Sequence, residues 1–241
     1  PLESYNRTMF KINDNVDRAV LKPVSRTYDK ITPSPLKKAF RNFFSNIGEI
    51  PVVFNGLLQF KFQQAAYDTS RFLINSTLGL GGFLDVAADA GLEKHDEDFG
   101  QTLGKWGVPP GPYFVIPVLG PSTIRDSVSR LADAPLKPIG YISPNSAKYS
   151  LYAADGVVTR ASLLGASNVL GEAALDPYVF VRDAFLQRRL KQIYDGKVPQ
   201  EKLDELEDAE DPAETKPAAK AEPKAEKDLQ EKTQPKPDTA K

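Results

Sequence analysis

Between Trp106 and Ile124 the chain carries no charge for 19 residues, its longest uncharged run, yet this run contains Pro109, Pro110, Pro112, Pro117 and Pro121 with Gly107, Gly111 and Gly120. A membrane-spanning helix needs roughly 20 mostly apolar residues, so length alone would allow a span. The prolines forbid it. Each removes an amide donor, and with the glycines they force turns along nearly the whole stretch. Its centre, Tyr113 to Leu119, is nevertheless strongly apolar. A hydrophobic segment of this length that is not a regular helix differs from ordinary surface connections, and protein or lipid has to cover it.

Charge divides the chain. Residues 199–241 hold 13 acidic against 8 basic residues and six prolines, a net charge of −5 without one aromatic. Residues 1–198 hold 23 basic against 19 acidic residues, a net charge of +4, and all 23 aromatic side chains. The tail's repetitive Lys, Ala, Pro and Glu text buries too little apolar area to offset its chain entropy and reads as a disordered linker. Two regions follow: a folded body over 1–198 and an acidic tail over 199–241.

Several chemistries drop out. There is no cysteine, which excludes disulfides, zinc-thiolate sites and thiol nucleophiles. The first residue is proline rather than methionine, so an upstream segment, such as a targeting signal, is expected to have been removed. The single histidine, His95, lies in Glu93-Lys94-His95-Asp96-Glu97-Asp98. Consecutive residues on a loop do not preorganise a coordination sphere, so this is read as a solvated charge run with no metal. Without a G-x-S-x-G elbow or a base beside a nucleophile, no catalytic residue, cofactor or enzymatic activity is expected. Gly79-Leu80-Gly81-Gly82 follows a helical pattern and lacks the Lys-Ser/Thr of a phosphate loop, so it reads as a helix stop and turn.

The remaining signal is helical. Leu2, Tyr5, Met9, Ile12, Val16 and Ala19 recur at three- and four-residue steps over 2–20, with Pro23 ending or kinking that helix. Ser34 and Pro35 restart the chain as cap and first helical residue. The helix that follows carries a stripe of Leu36, Phe40, Phe43, Phe44 and Ile47 opposite Lys37, Lys38 and Arg41. Helical geometry separates these aromatics from the cations, so they form no stacking platform for nucleic acid; a core or an anionic membrane surface suits them better. Further helices are expected after Pro51, from Gln63 to Leu78, from Phe99 to Trp106, from a Ser122 cap to Leu131, from Asn145 to Leu164 with a break near Asp155-Gly156, and from Asp176-Pro177 to Gly196. No run of five residues alternates with period two. The fold class is all-α: short amphipathic helices joined by Pro- and Gly-rich connections.

Pro1-Leu2-Glu3, Asn6-Arg7, Asn42-Phe43, Arg71-Phe72-Leu73-Ile74-Asn75, Gly79 to Phe83, Asp85-Val86-Ala87, Thr102-Leu103-Gly104, Gly111-Pro112-Tyr113, Arg125-Asp126, Thr159-Arg160-Ala161 and Asp176-Pro177-Tyr178 occur in this order. In that set the chain resembles the VacJ/MlaA lipoproteins of the Gram-negative outer membrane over residues 1 to about 195. The resemblance implies a ring-like helical body seated in the periplasmic leaflet and tethered by a lipidated cysteine upstream of residue 1. It also implies a polar central channel, through which phospholipids misplaced in the outer leaflet pass to a periplasmic lipid-carrier protein. A trimeric porin would be a further partner, and nucleic acid would not.

By the same resemblance, Gly111, Pro112, Tyr113, Phe114, Val115, Ile116, Pro117, Val118, Leu119, Gly120 and Pro121 form a gating loop, and Asn42 and Phe43 mark a helix where a two-residue deletion disturbs gating. Lys148 and Arg160, basic residues on the helix over 145–164, are candidate contacts for lipid phosphate, with plain surface placement as the other reading. Moving about 30 methylenes bare through water costs on the order of 20 kcal/mol at ~0.8 kcal/mol per CH₂, so transport needs apolar shelter beside a polar path. Two other readings stay open: a scaffold holding porin and membrane together without moving lipid, and a lipid-cleaving enzyme.

Overall fold

A computed structural model describes residues 2–167 and 175–210, the last four by their backbone only. The chain divides into two compact units, residues 1–198 and 199–241. In the first, the described helices are α1 (Glu3–Val16), α2 (Lys22–Ile31), α3 (Ser34–Ile47), α4 (Glu49–Leu58), α5 (Phe62–Thr77), α6 (Val86–Asp89), α7 (Phe99–Lys105), α8 (Ile124–Asp133), α9 (Asn145–Ser162) and α10 (Pro177–Ile193). One hairpin interrupts them, with β1 (Tyr113–Ile116) antiparallel to β2 (Gly120–Thr123). The second unit opens with α11 (Gln200–Glu210). The linker reading gave that segment no structure, but its Glu, Lys, Leu and Ala are good helix formers. Residues 211–241 lie outside the described part.

Neighbouring elements of the first unit close into a ring. α3 packs on α4, α4 on α7, α7 on α8, α8 on β2, and β2 pairs with β1. β1 lies on α1, which runs on into α2; α2 packs on α9, and α9 returns to α3. No described helix is long and apolar enough to cross a membrane.

Several local expectations shift. Pro23 does not end the first helix. The chain widens into a π-helical stretch, Asp17–Leu21, and the Lys22 amide bonds back to the Asp17 carbonyl. A proline ring clashes with the carbonyl four residues before it, and the wider turn relieves that clash without breaking the rod. Ser34 is the first residue of α3 and makes no capping hydrogen bond. The cap of α8 is Thr123, whose hydroxyl accepts from the Asp126 amide, rather than Ser122. α9 runs unbroken through Asp155 and Gly156. Asp176 caps α10 as expected, accepting from the amides of Tyr178 and Val179.

The packing is inverted relative to a water-soluble domain. Among the described residues the buried set holds 8 hydrophobic side chains, from Val52 to Ile193, against 19 polar or charged ones. α5 turns Asp68, Arg71 and Asn75 inward and leaves Leu73 54% exposed. α8 buries Arg125, Asp126, Ser129 and Asp133 while Leu131 stands 77% exposed. α1 buries Asn6 and leaves Tyr5 and Ile12 outside. Apolar surface on this scale marks contact with a partner or with lipid.

Candidate functional site

The uncharged stretch folds as a hairpin pinned to α1. Asn6 donates through Nδ2 to the Tyr113 carbonyl (3.2 Å) and accepts from the Val115 amide (2.9 Å). Seven residues on, Asn13 donates to the Ile116 carbonyl (2.9 Å) and accepts from the Val118 amide (2.7 Å). Two helical turns rise ~10 Å, which matches three residues of extended chain, so two asparagines hold one strand along its length. The tip, Pro117-Val118-Leu119, points out, with Val118 66% exposed. Val118 has φ +66°. A β-branched residue pays for that conformation in strain, and the Asn13 contact helps hold it there. Below the tip, Val115 is buried and the Tyr113 ring lies 6.0 Å from Phe185 on α10. The Tyr113 hydroxyl is buried without a partner, and burial pushes its pKa upward.

Away from the hairpin, three polar clusters join the helices. On α5, Arg71 Nη2 donates to Asp85 (3.1 Å), Asn75 bridges Asp85 and the Ala87 amide, and His95 Nδ1 lies 2.8 Å from Asp68. On α4, Asn55 donates to Asp133 (2.9 Å) and accepts from Thr102 (2.9 Å), while Gln59 donates to Glu97 (2.8 Å). Glu97 also receives Lys61 (2.7 Å) and Gln64 (2.9 Å). On α10, Arg189 reaches Asp98 through Nη1 (2.6 Å) and Asp126 through Nη2 (2.8 Å). Burial alone would raise the Asp98 pKa, but Arg189 and the Gln101 amide outweigh it and hold the carboxyl below its usual range. Asp133 is pushed up by burial, which its hydrogen bonds from Phe99 and Asn55 only partly offset.

These contacts correct the solvated-run reading of residues 93–98. Glu97 is buried and triply bonded, Asp98 caps α7 and pairs with Arg189, and His95 faces Asp68. No group of acidic and histidine side chains among the described residues is arranged to hold a metal. The cluster instead borders an open cleft of about 730 Å³ lined by residues that include Gln64, His95, Glu97, Gln101, Arg188 and Lys191. A neighbouring cavity of about 500 Å³ shares Gln64 and His95 and has Phe60, Phe62 and Tyr67 at its rim.

The other candidate residues sit elsewhere on the ring. Asn42 donates to the Phe83 carbonyl (3.3 Å), and Phe43 stacks on the Phe83 ring at 4.9 Å. Phe43 lines an apolar cavity of about 500 Å³ with Phe40, Phe44, Phe83, Leu151 and Val157. Lys148 is half-buried on α9. Arg160 is already engaged: Nε and Nη2 grip Asp17 at 2.6 and 2.8 Å, tying α9 to the π-helical stretch. Twelve residues of helix separate Lys148 from Arg160 by ~18 Å, too far for one phosphate to meet both. The residues missed from sequence are Asn6 and Asn13. Their signal was a polar i, i+7 pair along the edge of the apolar face of α1.

Comparison with known proteins follows the same outline. The model of the family described as MlaA lipoprotein matches residues 1–192. The intermembrane phospholipid transport system lipoprotein MlaA of Shigella flexneri is 38% identical over 194 residues, covering 78% of this chain and 76% of its own. The protein of that name from Haemophilus influenzae is 33% identical over 213 residues, covering 83% and 82%. A solved structure, described as a structural basis for maintenance of bacterial outer membrane lipid asymmetry, superposes with a TM-score of 0.70 at 35% identity. It covers 78% of this chain and 96% of that one.

Proposed function

This chain belongs to the MlaA lipoprotein family, and we propose that it takes misplaced phospholipid from the outer leaflet of a Gram-negative outer membrane and passes it inward to a periplasmic carrier, maintaining lipid asymmetry. The observation that carries the reading is the inverted packing: polar side chains inside a ring whose apolar side chains face out. A body built this way is stable where lipid tails cover its rim, and it offers a headgroup a path away from those tails. The open cleft between α5, α7 and α10 is the candidate for that path, since its amides, carboxylates and cations would meet a zwitterionic or anionic headgroup. The hairpin tip is the gate, and a trimeric porin is the partner that holds the ring in place. In this reading phospholipid is cargo rather than a substrate for hydrolysis, and energy input comes from partners.

Reconstitution of the full chain in vesicles with labelled phospholipid and the carrier tests this. Transfer that depends on the chain is expected, as is intact phospholipid bound to protein extracted from membranes and weighed by native mass spectrometry. Lyso-products would instead identify a lipase, and porin without lipid or transfer would identify a scaffold. Lys148→Glu is expected to slow transfer by about tenfold, the effect of losing one charge-assisted contact to phosphate. An unchanged rate would return Lys148 to plain surface.

A further inference from the structure

A second cavity adjoins the apolar one beside α3. It measures about 220 Å³ and is lined by Tyr28, Asp29, Lys37, Lys38, Arg41 and Ser162 among others. The two cavities share Tyr28 and Val158. On α3 the helical period sets Lys37, Lys38 and Arg41 off the stripe of Phe40, Phe43 and Phe44; the fold brings the two together, because the pocket lined by the cations meets the aromatic cavity at Tyr28 and Val158. α2 and α9 close the groove from the other side.

Charge and hydrogen bonding both point to a ligand. Lys37 neutralises Asp29 at 2.7 Å. Lys38 and Arg41 have no carboxylate partner among the described residues, which leaves the pocket with two surplus positive charges. At the junction the Tyr28 hydroxyl is buried and has no hydrogen-bond partner. Buried hydroxyls are nearly always paired, and an orphan asks for an acceptor. Burial also pushes the Tyr28 pKa upward, so the group is a donor at neutral pH.

We propose that the two cavities form one docking site for a phospholipid, with an acyl chain among Phe40, Phe43, Phe44, Phe83, Leu151 and Val157 and the phosphate between Lys38 and Arg41. The Tyr28 hydroxyl donates to a phosphate or ester oxygen where the two parts meet. The apolar cavity, at about 500 Å³, falls within the ~300–1,000 Å³ of small-ligand sites. This site is lined from α2, α3, α9 and Phe83 in the turn after α5, apart from the open cleft of α5, α7 and α10, and it rests on the phospholipid reading above.

The test uses the full chain in nanodiscs of phosphatidylethanolamine and phosphatidylglycerol, with a tracer phospholipid carrying a diazirine on its acyl chain. Crosslinks mapped by mass spectrometry are expected on residues 40–44 and 151–158. Lys38→Glu with Arg41→Glu should lower that labelling by about tenfold, and Tyr28→Phe by about threefold, with labelling around Val128 and Leu131 unchanged. Circular dichroism confirms that each variant is folded. Inorganic phosphate at millimolar concentration should not compete. Equal labelling of wild type and the charge-reversed variant would overturn the phosphate contact. Labelling by a diazirine fatty acid to the same level as by the phospholipid would reduce the site to an apolar groove and overturn the proposal. Chain-dependent transfer without labelling here would overturn this site alone, whereas labelling here without any transfer would overturn the transport reading.

Discussion

Joining the hairpin tip to α1 with a short, reducible bis-thiol linker between Asn13→Cys and Val118→Cys is expected to bring lipid transfer down to the protein-free background, and cleaving the linker should restore it. The chain has no cysteine of its own, so the introduced pair is the only thiol couple that can react. The site is chosen on geometry. Asn13 touches both sides of the tip, at Ile116 and at Val118, and the tip is the part of the hairpin that holds a β-branched residue at positive φ. Strain of ~1–3 kcal/mol at such a residue is what a movable tip would release when its asparagine contact breaks. The reduced double variant serves as the control for loss of the Asn13 amide itself. Full transfer by protein shown on a gel to be crosslinked would exclude tip movement from the transfer cycle.

What was legible in the sequence divides along physical lines. Helix existence and the Asp176 cap of α10 were readable because local periodicity and capping chemistry decide them. Which face turns inward was not. Leu73 on α5 and Leu131 on α8 belong to apolar stripes that a water-soluble domain would bury, and the structure leaves both exposed. Periodicity locates a stripe but not the solvent it meets. The hairpin was hidden for another reason: β1 is four residues long, too short to alternate, and β2 begins Gly-Pro. Its seat on α1 depends on Asn6 and Asn13, more than 100 residues away in sequence. Glu97 and Asp98 looked solvated because their partners, Lys61 and Arg189, are also distant. Of the candidate site, the loop over 111–121 and Phe43 were singled out through the family resemblance, but the strand pairing of that loop and the open cleft came only from the fold.

The interior network makes the second strong prediction. Arg189→Met should cost about 3–5 kcal/mol, the usual penalty for removing one member of a buried ion pair, and lower Tm by roughly 10 °C. Arg189 is the link that carries α10 onto the cap of α7, Asp98, and the first turn of α8, at Asp126. Both carboxylates would lose their guanidinium, although Arg125 still donates to Asp126 at 3.2 Å. The pH dependence should change sign with it. In the wild type, Asp98 sits below its ordinary pKa, so its contribution is complete above ~4 and is lost as pH falls through the lower folded value. In the variant, burial without Arg189 raises that pKa above ~4, and the protein should gain stability on acidification from pH 7 toward 4. Glu49 and Asp133, whose pKa values burial raises, contribute the same slope to both proteins, so the difference between them isolates the network. Thermal unfolding at three pH values decides the matter, and parallel curves would show that Arg189 does not carry the wall. Gln101 and Lys191 on α7 and α10 line the open cleft proposed as the headgroup path, so the Arg189 network, which joins these two helices through Asp98, supports the wall of that cleft. Stability and transport are therefore expected to fail together in Arg189→Met, and separately in Lys148→Glu.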